Sequence, residues 1–98
     1  MTIRKEQNGT ALTIYLEGRL DTTTAPELEE ELKTALDDVT ELTVDLGKLD
    51  YMSSAGLRVM LSTQKRMNRQ GSMTVVNVND VLMEIFEVTG FDTILDIK

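Results

Sequence analysis

Histidine and cysteine are both absent from the 98-residue sequence, and their absence closes off much chemistry at once. Without His there is no histidine phosphorelay and no Ser-His-Asp or Cys-His nucleophile. Without Cys there is no thiol redox centre, and zinc sites built on His or Cys are excluded. Only carboxylates remain as metal ligands, and neither a metal nor a cofactor is expected. No apolar run approaches the ~20 residues of a membrane span. Met1-Thr2-Ile3-Arg4-Lys5-Glu6 has no apolar signal-peptide core. Basic charge is also scarce: 10 Lys and Arg stand against 17 Asp and Glu, a formal net charge of −7. Affinity for nucleic acid comes mainly from Lys and Arg on phosphates, so this chain points away from nucleic acid. An anionic membrane surface would repel it. It points instead toward a protein partner with a basic patch, and a cytoplasmic protein or module is expected.

What is present is the composition of one ordinary globular domain, 41% hydrophobic and 28% charged, spanning 1–98. A chain of this length buries about 60–68% of its unfolded surface, enough for one modest core. Residues 2–7 and 11–17 flank Asn8-Gly9, a strong hairpin signal. Leu12, Ile14 and Leu16 alternate with Thr13, Tyr15 and Glu17, as in a half-buried strand. Thr24 then reads as an N-cap, with Pro26 in the first turn and Glu27 completing a capping box. Leu28, Leu32, Leu36 and Val39 continue at helical spacing, giving a helix at about 25–38. Leu42 to Leu46 reads as a short strand, and Gly47 to Met52 as a loop. A second helix runs from Ser54 to about Gln70, with Gly71 as a left-handed stop. A strand at 73–78, a short helix capped by Asp80 and ended by Gly90, and a last strand from Thr93 to Ile97 complete the order. The expected fold is α/β: a mixed sheet in the order β-β-α-β-α-β-α-β, with helices packed against it. The six Met fall at core spacing and read as packing.

The segment Leu49-Asp50-Tyr51-Met52-Ser53-Ser54-Ala55-Gly56-Leu57-Arg58-Val59 carries the most information. A serine at a helix start is commonly an N-cap. That role uses one serine, and it does not explain the second, nor the small Ala55-Gly56 pair in the first turn. Gly in a helix costs about 1 kcal/mol relative to Ala, so Gly56 implies that something approaches closely. A helix N-terminus also tolerates anionic charge. A serine there can carry a phosphoryl group, adding about −1.5 to −2 charge without disturbing the fold. Arg58, Lys65, Arg66 and Arg69 line the second helix as a basic stripe, read first as a solvated face matched to the helix dipole.

Across nearly the whole chain the sequence resembles the STAS domain family, in its stand-alone form as a bacterial anti-sigma-factor antagonist. The resemblance rests on Leu16-Glu17-Gly18-Arg19-Leu20-Asp21, Val44-Asp45-Leu46, Tyr51-Met52-Ser53-Ser54-Ala55-Gly56-Leu57-Arg58 and Val88-Thr89-Gly90-Phe91. It implies a sheet with helices packed against it and a further C-terminal helix, expected here to be short or absent. It also implies a partner-switching regulator that is not an enzyme. The unphosphorylated antagonist binds an anti-sigma factor, itself a serine kinase of the GHKL type, and so frees a sigma factor. Phosphorylation releases it, and a PP2C-type phosphatase restores it. The phosphorylated serine of the family falls on Ser54. Many members have Asp immediately before it, where this chain has Ser53, which makes Ser53 an alternative acceptor. By the same resemblance the partner-binding residues are Asp21, Thr22, Thr23, Met52, Ser53, Ala55, Gly56 and Arg58.

Other readings are weaker. A non-switching STAS subunit of a larger assembly, such as a lipid-transport ATPase complex, keeps the fold and changes the task. An enzyme would need a base to activate its serine, and no His or Cys supplies one. A receiver-type phospho-acceptor at Asp45 would need an acidic pair for Mg²⁺ after its first strand, which is absent. An acidic carrier protein modified on Ser54 would be a helical bundle, which the hairpin and alternating strands oppose.

Overall fold

The computed structural model describes residues 1–98. The chain opens with the expected hairpin: β1 (Thr2–Asn8) pairs antiparallel with β2 (Ala11–Leu20), and Asn8 lies opposite Ala11. Gly9 turns the corner with φ +63°, a conformation that glycine adopts without penalty. Then follow α1 (Ala25–Ala35), β3 (Glu41–Met52), α2 (Ser54–Gln70), β4 (Ser72–Val76) and α3 (Asp80–Thr89). A 3-10 helix at Phe91–Thr93 is the last regular helix before Lys98. The strands form one mixed sheet in the order β1-β2-β3-β4, with β2, β3 and β4 parallel. No helix is long and apolar enough to cross a membrane.

One side of the sheet feeds a core of 23 buried residues. Leu12, Ile14 and Leu16 of β2 face it, with Leu42, Val44 and Leu46 of β3. Leu28, Leu32 and Leu36 of the first helical segment close it, with Met60 and Met67 of α2. Each such side chain contributes about 1.5–3 kcal/mol through burial. The alternating residues Thr13, Tyr15, Glu17, Thr43 and Asp45 are only half-buried, on the sheet's other side. Two side chains of α2 hold the end of α1. Arg66 donates to the Leu32 and Lys33 carbonyls and to Asp37 at 3.4, 3.1 and 3.0 Å. Gln70 donates to the Leu36 and Val39 carbonyls at 2.8 and 2.7 Å. These bonds satisfy carbonyls that a helix end leaves open. Arg66 therefore belongs to the fold, while Arg58, Lys65 and Arg69 of the basic stripe are exposed.

The structure corrects several expectations. The segment from Gly47 to Met52 is not a loop but the second half of β3, paired with β2 as far as Leu20 opposite Met52. The register shifts twice there, so β3 carries extra residues and its buried positions fall at Leu46, Leu49 and Met52. Bulges of this kind replace the period of two with a period of three. The final strand is not formed. Phe91, Ile94 and Leu95 recur at helical spacing, and the Phe91 carbonyl accepts from the N–H groups of Ile94 and Leu95 at 3.0 and 2.8 Å. Only Ile97 pairs with the sheet, as a single parallel bridge to Val75. Helix α1 stops at Ala35 rather than Asp38, which adopts φ 65°. Strand β4 ends at Val76, before Asn77 at φ 58°. Gly71 is extended, not left-handed (φ 173°). It is required for another reason: a Cβ there would lie 1.9 Å from the Thr40 carbonyl oxygen. The cap of α3 is Asn79, whose side-chain oxygen accepts from the Leu82 N–H at 2.9 Å, and Asp80 is the first helical residue.

Candidate partner-binding and phosphorylation site

The parallel pair β2 and β3 end at the same level. The Ser53 N–H donates to the Leu20 carbonyl at 2.8 Å, so the turn after β2 and the start of α2 lie side by side. In open α/β sheets the carboxyl ends of parallel strands are where ligands and partners meet the fold.

The two serines have different tasks. Ser53 has extended backbone and is the N-cap of α2. Its hydroxyl oxygen accepts from the Gly56 N–H at 3.4 Å. Ser54 is the first helical residue and is exposed. A phosphoryl group on Ser53 would displace the cap, whereas on Ser54 it would stand free at the helix N-terminus, where the dipole favours negative charge. Gly56 is buried, and a Cβ there would meet Leu20 Cγ at 2.8 Å and Met52 Cγ at 2.9 Å. The close approach implied by its sequence position is thus the packing of α2 onto the ends of β2 and β3.

Asp21 organises the neighbouring turn. Its Oδ1 accepts from the Thr23 hydroxyl at 2.8 Å and from the N–H groups of Thr23 and Thr24 at 3.0 and 3.2 Å. The Ala25 N–H donates to its carbonyl at 2.8 Å. Thr24 does not cap α1 with its side chain, and the expected capping box is not formed. Instead its hydroxyl donates to the Arg19 carbonyl and accepts from the Asp21 N–H, both at 2.8 Å. The Thr23 hydroxyl, more than any other group, holds the Asp21 carboxyl below its ordinary value. Desolvation pushes the other way and is outweighed with the help of the Thr24 and Thr23 N–H groups and the Thr24 side chain.

Between the N-terminal halves of α1 and α2 runs an open groove. Thr22, Ala25, Pro26 and Glu29 form one wall, and Ala55, Arg58, Val59 and Ser62 the other. Arg58 is exposed and takes part in none of the protein's ion pairs. Of the expected residues, Thr22, Ala55 and Arg58 line this groove, while Asp21 and Thr23 stand in the turn before α1 and Ser53 and Ser54 at the start of α2. Two of the expected partner-binding residues are buried. Met52 is 1% exposed, and Gly56 lies beneath the helix, so both support the site from within. Sequence reasoning missed the pair Arg19 and Tyr51. They are opposite each other in the β2–β3 register. The Arg19 guanidinium lies 4.5 Å from the Tyr51 ring centroid, and its Nε is 3.8 Å from Asp21 Oδ2. Both residues stand in the motif segments, but only the bulged register reveals that they meet. No group of three or more acidic side chains is arranged to hold a metal ion.

A family model described as "Mlab, STAS domain" matches residues 3–96. The anti-sigma-B factor antagonist of Bacillus subtilis is 32% identical over 94 residues, covering 95% of this chain and 86% of that protein. The anti-sigma factor antagonist SpoIIAA in its unphosphorylated form has a similar fold, with a TM-score of 0.85 at 19% identity, covering 99% of this chain and 88% of that one. The Bacillus cell fate determinant SpoIIAA in its phosphorylated form has a TM-score of 0.77 at 19% identity, covering 99% and 91%.

Proposed function

The chain belongs to the STAS domain family, and from that premise we propose that it is an anti-sigma-factor antagonist switched by phosphorylation of Ser54. Unmodified, it binds an anti-sigma factor and frees a sigma factor. The anti-sigma factor is a serine kinase of the GHKL type, its phosphorylation of Ser54 ends the complex, and a PP2C-type phosphatase restores it. The protein itself is a binding module of the cytoplasm and catalyses nothing. The observation that carries this reading is the division of labour between the serines: Ser53 caps α2, and Ser54 is exposed beside a groove with an unpaired Arg58. A phosphoryl group on Ser54 favours the helix by about 0.3–1 kcal/mol when exposed. In a docked interface the same charge must be desolvated, and unpaired it costs several kcal/mol. Release then needs no refolding.

The test is incubation with the GHKL-type kinase and ATP, then mass spectrometry of wild type, Ser53→Ala and Ser54→Ala. The reading expects modification of wild type and Ser53→Ala only. Modification of Ser54→Ala but not Ser53→Ala would move the acceptor to Ser53. A second reading, a non-switching STAS subunit of a larger assembly such as a lipid-transport ATPase complex, keeps the same fold and is favoured by Ser53 standing where the resemblance to switching antagonists implies Asp. It expects no phosphorylation at either serine, and stable co-purification with an ATPase subunit.

A further inference from the structure

Helix α3 carries more apolar surface than the core uses. Leu82 and Phe86, each 0% exposed, fix it to the sheet. Val81, Ile85 and Val88, at i, i+4 and i+7, share a second face. Val88 is 81% exposed and Val81 55%, while Ile85 is half-buried between the two faces. Tyr51 of β3, with Glu84 and Thr89, completes a shallow apolar depression around these three residues. Beside the strip runs a stripe of one charge. Asp80, Glu84 and Glu87 repeat the same spacing one residue earlier, and all three are exposed. None takes part in an ion pair, and no Lys or Arg occurs between Gly71 and Ile97.

A contiguous exposed apolar patch rimmed by polar residues marks an interaction surface. The charge decides what it takes. A second copy would set its own acidic stripe against this one, on chains that each carry a net charge of −7. An anionic bilayer would be repelled for the same reason. We propose that this face of α3 docks a basic amphipathic helix of a partner protein. The partner's apolar stripe lies on Val81, Ile85 and Val88, and its Lys or Arg flank meets Asp80, Glu84 and Glu87. Tyr51 precedes Ser54 by three residues and lies under the Arg19 guanidinium, so the strip adjoins the Ser54 site. It contains none of that site's acceptor or cap groups. The inference therefore rests on α3 and Tyr51 and not on the identity of the phosphorylated serine.

The test is titration of the ¹⁵N-labelled protein with a synthetic helical peptide of roughly 18 residues, about five turns, bearing a Leu stripe flanked by Lys. Two further peptides replace the Leu by Ser, or the Lys by Glu. Amide shifts are expected at Val81, Glu84, Ile85, Val88 and Tyr51 with the Leu/Lys peptide, and not with the other two. Val81→Asp separates the contributions. It places an acid in the first turn of α3, which the helix tolerates, and it strengthens the field that attracts Lys while removing apolar contact. Docking predicts binding weaker by about tenfold or more, some 1.4 kcal/mol. Glu84→Lys with Glu87→Lys should transfer the preference to the Leu/Glu peptide. The proposal is overturned if the Ser-stripe peptide binds as well as the Leu-stripe peptide, or if Val81→Asp binds more tightly. It is equally overturned if the shifts map to α1. Concentration-dependent shifts at Val81 and Val88 without peptide, with dimer in the ultracentrifuge, would assign the face to a second copy instead.

Discussion

The starts of α1 and α2 stand side by side at the ends of β2 and β3, and they are built in opposite ways. Before α1, the Asp21 carboxylate is engaged by Thr23 and Thr24, and Thr24 in turn is bonded to Arg19 and Asp21. Every polar side chain of that turn except Thr22 has a partner within the turn or its flanking strand. Before α2, one long bond from Gly56 to Ser53 forms the side-chain cap, and the next hydroxyl is exposed. A hydrogen-bonded turn next to an exposed helix start lets one position change charge while its surroundings keep their shape. The comparison also adds to the role of Asp21. Its Oδ1 holds the turn that presents Thr22 and Thr23, while its side chain is 29% exposed beside Arg19, where a partner can still reach it.

The largest expected effect breaks the open side of the comparison. Ser54→Asp should lower affinity for the anti-sigma factor about a hundredfold or more, since an unpaired interfacial charge costs several kcal/mol. The melting temperature should stay at or slightly above that of wild type. Calorimetric titration and a thermal melt on the same sample read both, and unfolding of the variant would replace charge mismatch with conformational release. Next, Gly56→Ala should destabilise the domain by about 1–3 kcal/mol in a urea melt, because its Cβ forces Leu20 and Met52 to move. Stabilisation by the usual helix preference for Ala would mean that those two side chains shift without strain. Third, Ser53→Ala should cost about 0.5–1 kcal/mol, near the low end for a lost cap because the bond is long, while Ser54→Ala stays within about 0.5 kcal/mol of wild type. Equal effects would erase the distinction between the two serines.

The smallest effect concerns pH. The Asp21 carboxyl is held below its ordinary value in the folded protein, so the unfolded chain takes up that proton first as pH falls. Its stabilising contribution is complete above the unfolded carboxyl's value and is lost as pH drops through the lower, folded value. In Asp21→Asn this part of the acid-side loss, below about pH 4, should be missing. An unchanged difference between pH 7 and pH 3 in urea midpoints would show that the Thr23 and Thr24 bonds do not favour the charged form.

The sequence revealed those elements whose residues follow a simple period. The Asn8-Gly9 hairpin, the apolar faces of α1 and α2, and the serine pair before α2 all could be read directly. The second half of β3 could not, because its bulges space Leu46, Leu49 and Met52 by three. The cap before α1 also escaped, since Asp21 acts through a preceding turn and Thr24 points its hydroxyl backward to Arg19. At Gly71 the need is steric rather than conformational, set by Thr40 from a distant part of the chain. Arg19 and Tyr51 meet only through the shifted register, which no local pattern encodes. Local chemistry was legible, and what depended on contacts between distant segments was not.

The central claim is that Ser54 changes charge on an otherwise unchanged domain. A two-dimensional amide NMR comparison of the unmodified and Ser54-phosphorylated proteins tests it directly. The account predicts shift changes confined to Ser53 through Arg58 and the adjacent turn from Asp21 to Thr24, with the β1–β2 hairpin and the core of α3 unmoved. Changes spread through the sheet, or a general loss of dispersion, would contradict it.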